Sequence, residues 1–231
     1  MKKKTLLMSI AITFITLYSS AQEAGKFTDT RDGNVYKTVT IGKQIWMAEN
    51  LRYLPSIVGP ETTSATTPYY YVYDYSGTNV NAAKATSNYK TYGVLYNWTA
   101  AMAGSASSTQ NTSGVQGVCP KGWHLPGNAD WTQLVDHLGG TSLAGGKLKE
   151  TGTVHWTSPN NGATNETGFT ALPGGYCDGT FHIVGIGGYW WSATKYDATD
   201  AWSLSVDNYT SNACKSYLNK MLGFSVNCVK D

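Results

Sequence analysis

A chain of 231 residues offers one domain's worth of core, and its 17 basic and 15 acidic residues give a formal charge of +2. The excess sits at the start: three lysines (Lys2, Lys3, Lys4) belong to a segment read below as removed, leaving 14 basic residues against 15 acids, a net charge of −1. That balance leaves no basic surface for nucleic acid or anionic lipid.

The opening, "MKKKTLLMSIAITFITLYSSAQ", has a basic start, an apolar centre from Leu6 to Tyr18, and small residues at Ser19 and Ala21. This pattern predicts a secretory signal peptide over residues 1–21, cut after Ala21. The apolar run is short of the roughly 20 residues that a membrane span needs, so the mature chain is expected not to cross a membrane. No cysteine follows the cut to carry a lipid. The remainder, 22–231, reads as a single domain, exported to the periplasm, the outer surface or the medium. Charged residues are scarce at 14% while aromatics reach 13%. With abundant Gly, Ser, Thr and Asn, that composition predicts short strands joined by neutral polar loops.

"FTDTRDGNVYKTVTIGKQIWMAENL" (Phe27–Leu51) contains two turn signals, Asp32-Gly33-Asn34 and Gly42-Lys43, and so predicts a meander of three short strands. A calcium loop does not fit there, because Thr28 and Thr30 stand where an EF-hand needs acids. Pro55 to Tyr92 is polar, with one strand candidate, "YYYVYDY" (Tyr69–Tyr75). "YGVLYNWTAAMAG" places Leu95, Trp98 and Met102 on one helical face, with Gly104 as a stop.

"KGWHLPGNADWTQL" (Lys121–Leu134) predicts a strand-to-helix corner. Trp131, Leu134, Val135 and Leu138 follow helical spacing, with Gly127 as cap and Asp130 near the third position, suited to the positive helix end. Strand alternation turns Trp123 and Leu125 to one face and His124 to the other. The last third reads as strands: "GFTALPGGYC", "FHIVGIGGYWWSAT", "AWSLSVD", "ACKSYLN" and "GFSVNCVK". Strands, two central helices, then strands make an α+β order rather than alternating βα.

The four cysteines, Cys119, Cys177, Cys214 and Cys228, read as two disulfides in an exported chain, with three connectivities open. No Cys-x-x-Cys, His-x-x-x-His or Gly-x-Ser-x-Gly occurs. No metal, cofactor or catalytic residue is therefore assigned, and His124 reads as a packed corner residue. Glu49, Glu150, Glu166, Asp178, Asp197 and Asp200 offer carboxylates, but no spacing singles out a glycosidase pair.

"GGYWWSATKYDATDAW" (Gly187–Trp202) is the candidate ligand segment. Trp190 and Trp191 point to opposite sides of a strand, one into the core; the other, with Tyr196, Asp197 and Asp200, would line a surface where aromatic faces meet sugar rings.

Five ordered blocks, "DGNVYKTVTIGKQIWMAENLRY", "YGVLYNWTAAM", "GVCPKGWHLPGNADWTQL", "GGYWWSAT" and "GFSVNCVKD", resemble the Fibrobacter succinogenes major paralogous domain, a family of exported bacterial domains without an assigned activity. "GWHLP" running into a helix also resembles formylglycine-generating-enzyme-like sequences, which share a C-type lectin-like fold. The resemblance implies that fold: short antiparallel sheets, two central helices and long irregular loops. It further implies the pairing Cys119–Cys228 with Cys177–Cys214, while Cys214–Cys228 across a hairpin near Lys220 remains a rival. Neither calcium tripeptide of sugar-binding lectins is present. The expectation is a non-catalytic module that presents loops to a glycan or protein at the cell envelope. The alternatives are an enzyme of formylglycine-generating type, an unrecognised hydrolase, or a structural envelope component.

Overall fold

The computed structural model describes residues 24–231, so the signal peptide read over 1–21 lies outside the described residues. The expected meander forms as β1 (Ala24–Thr28), β2 (Val35–Ile41) and β3 (Gln44–Met47), all antiparallel. Gly33 and Gly42 supply the positive φ, 77° and 61°, that the two turns require. Two short segments from far along the chain complete this sheet: β6 (Trp123–His124) and β12 (Val229–Lys230), in the order β1-β2-β3-β12-β6.

The tyrosine run forms only a two-residue strand, β4 (Tyr70–Tyr71), paired with β5 (Leu95–Tyr96). A turn at Asp74, φ 60°, ends it. Two short helices that periodicity did not announce, α1 (Val80–Ala85) and α2 (Ser87–Tyr92), fill the polar stretch. Their caps are local: Asn79 Oδ1 accepts from Ala82 N, and Thr86 Oγ1 from Tyr89 N. Helix α3 (Trp98–Met102) is shorter than expected, because Asn97 caps it through Ala100 N and leaves Leu95 on a strand.

Helix α4 (Asn128–His137) follows the predicted corner. Asp130 Oδ2 accepts from Gly127 N at 2.8 Å, the cap bond expected of an acid at that position. Helix α5 (Thr141–Leu148) was not anticipated, since Gly145 and Gly146 weigh against a helix. Its glycines let it lie against the backbone before the later strand β11 (Ala213–Asn219): a Cβ on Gly145 would overlap the Asn212 carbonyl.

β11 is the outer strand of a second sheet, ordered β11-β10-β9, with β10 (Asp200–Asp207) and β9 (Gly187–Lys195). A small hairpin, β7 (Tyr176–Cys177) with β8 (Phe181–His182), sits beyond β9, tied to it through Gly175 and Gly188. The architecture is thus mixed α/β: short antiparallel sheets with helices inserted between them. No helix of the described residues is long and apolar enough to cross a membrane.

Strand β9 runs between two cores. Trp191 joins Tyr36, Met47, Tyr96 and Phe224 on one side, and Trp190 joins Trp46, Trp131, Trp156 and Phe169 on the other. This corrects one expectation. Alternation does send the adjacent tryptophans to opposite faces, but both faces are covered, and Trp190 and Trp191 are 1% and 0% exposed. Neither reaches a ligand surface.

The cysteines bring a second correction. Cys119 and Cys228 are bonded, as the lectin-like resemblance implied, which closes the rival Cys214–Cys228 pairing. Cys177 and Cys214 are both unpaired. Cys214 lies on β11 and Cys177 on β7, with β10 and β9 between them. Three strand spacings, about 14 Å, exceed what a disulfide bridges.

Candidate functional site

Of the five predicted ligand residues, only Tyr196, Asp197 and Asp200 reach the surface together, at the β9–β10 turn. The acids serve the turn before anything else. Asp197 Oδ1 accepts from Thr199 N, Asp200 N and Thr199 Oγ1 at 2.8, 2.8 and 3.0 Å. Those backbone donors hold its pKa below the usual carboxylate range. From below, the Lys220 ammonium donates to the carbonyls of Asp197 and Ala198 at 2.6 and 2.7 Å.

Tyr196, half exposed at 50%, lies flat on Tyr217 of β11, with ring centroids 3.8 Å apart and planes 7° apart. Trp202 of β10 stands edge-on to both, at 5.8 and 5.6 Å. Sequence reasoning missed Trp202 and Tyr217. The signal was present: in "AWSLSVD", Trp202 alternates with Leu204 and Val206, and the register sets Trp202 opposite Tyr217. Leu204 and Val206 lie in the second core, whereas Trp202 stays half-buried at its border.

Trp202 also lines a groove of about 660 Å³. Helix α4 forms one wall with Asn128, Thr132, Gln133 and Asp136; Thr109 and Asn111 of the loop before it form another. Thr194 and Lys195 at the end of β9 complete the lining. The frame is pinned by hydrogen bonds. Thr194 Oγ1 donates to Ser108 O and accepts from Asn128 N, and Ser107 Oγ accepts from Lys195 N. Lys215 of β11 donates to Thr132 Oγ1 on α4. By contrast, the side-chain amides of Asn111, Asn128 and Gln133 have no hydrogen-bond partner among the described residues.

The remaining candidates sit apart from this surface. His124 is 1% exposed, with Nδ1 2.9 Å from Asp231 Oδ1. Glu49 pairs with Arg52, Glu166 with Lys147, Glu150 with His155 and Asp178 with His182. Burial pushes the Cys177 thiol up to about 11, with Asp178 and Glu61 adding to the effect. Burial and then Asp207 also raise Cys214, so both thiols are held neutral. Among the described residues, no group of three or more His, Cys, Asp or Glu is placed to hold a metal.

The Fibrobacter succinogenes major domain model matches residues 39–230. The chain belongs to that family. The matched span runs from β2 to β12, so it contains the aromatic cluster, the groove and both disulfide cysteines. No curated protein and no solved structure matches the chain. The family identity therefore brings no ligand with it, and the site's geometry carries the functional reading.

Proposed function

We propose that this member of the Fibrobacter succinogenes major domain family is an exported, non-catalytic module that binds a glycan at the bacterial cell envelope. The observation that carries the reading is the half-exposed cluster of Tyr196, Trp202 and Tyr217 bordering a pinned groove of neutral amides and hydroxyls. Aromatic rings offer apolar faces to sugar rings, and unpartnered amides offer a donor and an acceptor each to hydroxyls. Export is supported by the signal-like start and by the Cys119–Cys228 bond, since disulfides persist in oxidising compartments. We read the fold as C-type lectin-like, with one domain over 22–231. The bond from just before β6 to just before β12 fits the lectin pattern of a helix-proximal cysteine tied to the last strand.

Turnover of formylglycine-generating type calls for a reactive thiol pair. Here the two unpaired thiols stand on separate strands and burial disfavours their thiolates, which favours binding over that chemistry. A glycan array probed with the exported protein, with and without calcium, tests the proposal. Binding to a polysaccharide class that Trp202→Ala and Tyr217→Ala both weaken is the expected result. Silence across polysaccharides, with capture of an envelope protein instead, would replace the glycan with a protein partner.

A further inference from the structure

The cluster and the groove share Trp202, which makes them one continuous surface. We infer that the groove between α4 and the end of β9 is a subsite for an uncharged saccharide chain, whose hydroxyls are read by the amides of Asn111, Asn128 and Gln133. This inference rests on the glycan reading above and narrows it to a ligand class and a set of selecting residues.

Charge supports the choice. The lining carries one cation, Lys195, and one anion, Asp136, beside amides, hydroxyls and an indole. An acidic saccharide or a phosphate calls for converging arginines or lysines; no arginine lines this groove, its one lining lysine is offset by Asp136, and the neighbouring Lys215 ammonium is engaged by Thr132 Oγ1. A carboxamide presents a donor and an acceptor side by side, which matches a pair of neighbouring hydroxyls, each both donor and acceptor. Three such groups line one cleft, open to solvent and bonded to no other side chain or backbone group among the described residues, so they are free to exchange water for a ligand's hydroxyls.

Rigidity supports it as well. The loop wall is tied to β9 by Ser108 N to Ala193 O and Thr194 Oγ1 to Ser108 O, at 3.3 and 2.7 Å. It is tied to α4 by Ser113 N to Asp130 Oδ2 at 3.1 Å. A wall fixed before binding loses little entropy when the ligand arrives. The volume lies inside the roughly 300–1,000 Å³ range of small-ligand sites. A chain longer than the groove would continue over Trp202 towards the stacked tyrosines, so affinity would rise with length until both parts are covered.

Calorimetric titration of the exported protein with neutral cello-, manno- and xylo-oligosaccharide ladders, oligogalacturonate and heparin fragments tests this. One neutral ladder should bind, tightening with chain length. The double variant Asn128→Ala/Gln133→Ala should weaken that binding about tenfold or more, two lost hydrogen bonds being enough for such a change, with an unchanged melting curve. Tighter binding of oligogalacturonate or heparin overturns the inference. So does neutral binding that survives the double variant yet is lost in Tyr217→Ala; that result leaves the glycan reading standing on the aromatic cluster alone. If no saccharide binds at all, the glycan reading falls and this inference falls with it.

Discussion

His124 Nδ1 and Asp231 Oδ1 share a hydrogen bond of 2.9 Å that ties the end of β6 to the residue after β12. On the other side of the ring, Nε2 lies 3.7 Å from Asp130 Oδ2, the carboxylate that caps α4. Burial alone would lower the imidazole pKa, but Asp130 and then Asp231 outweigh it and hold it above the ordinary 6.5. A raised folded-state pKa stabilises fully below the unfolded value, and that stabilisation is lost as pH rises through the folded one. Thermal melts should therefore show a fall in stability above pH 6.5 that shrinks in Asp231→Asn. An equal fall in both proteins would contradict the assignment.

Lys149 is buried, and its ammonium donates to the carbonyls of Asn161, Asp207 and Thr210 at 2.9, 2.8 and 2.8 Å. It fastens two loops to the end of α5, and among the described residues no carboxylate lies within ion-pair distance of it. Lys149→Met keeps the stem but removes the donor from three carbonyls. The expected cost is about 3 kcal/mol or more, at roughly 1–3 kcal/mol for each buried group left unsatisfied. Urea unfolding measures it, and a loss under about 1 kcal/mol would mean that water replaces the ammonium.

The cysteine arrangement is open to direct counting. Denatured without reductant, the protein should show two thiols, Cys177 and Cys214, and four after reduction. In the native state Cys214 should label slowly and Cys177 only on unfolding, since Cys177 is buried beside Tyr71 and Leu95. Reducing Cys119–Cys228, which spans 109 residues, should cost about 4–5 kcal/mol in the chain-entropy model. A denatured, unreduced protein with no thiols at all would restore the second bridge.

Gly145 lies where α5 meets the Asn212 carbonyl, with no room for a methyl group. Gly145→Ala should destabilise by about 1–3 kcal/mol despite alanine's better helix propensity, because backbone on the far side must move. A stabilised variant would show that α5 sits further from β11 than described.

Local chemistry was legible from the residues alone. The turns at Gly33 and Gly42, the α4 corner with Asp130 bonded to Gly127, and the turn of Trp123 and His124 to opposite faces all depend on neighbours within a few positions. Helices α1, α2 and α5 were not legible: the first two are short and capped by single side chains, and the third carries glycines that only its packing explains.

The sequence by itself determined the family, the strand and turn spacing, and the presence of an aromatic-rich hairpin near its end. Only the tertiary structure decided which aromatics of that hairpin are free. Alternation fixes the side to which Trp190, Trp191 and Trp202 point, but whether a side is covered depends on segments up to about 150 residues away, such as β3 with Trp46 and α4 with Trp131. The same long-range packing set β9 and β10 between Cys177 and Cys214 and brought loop 107–113, α4 and β9 around one groove. Burial and separation are properties of distant partners, and no local pattern encodes them.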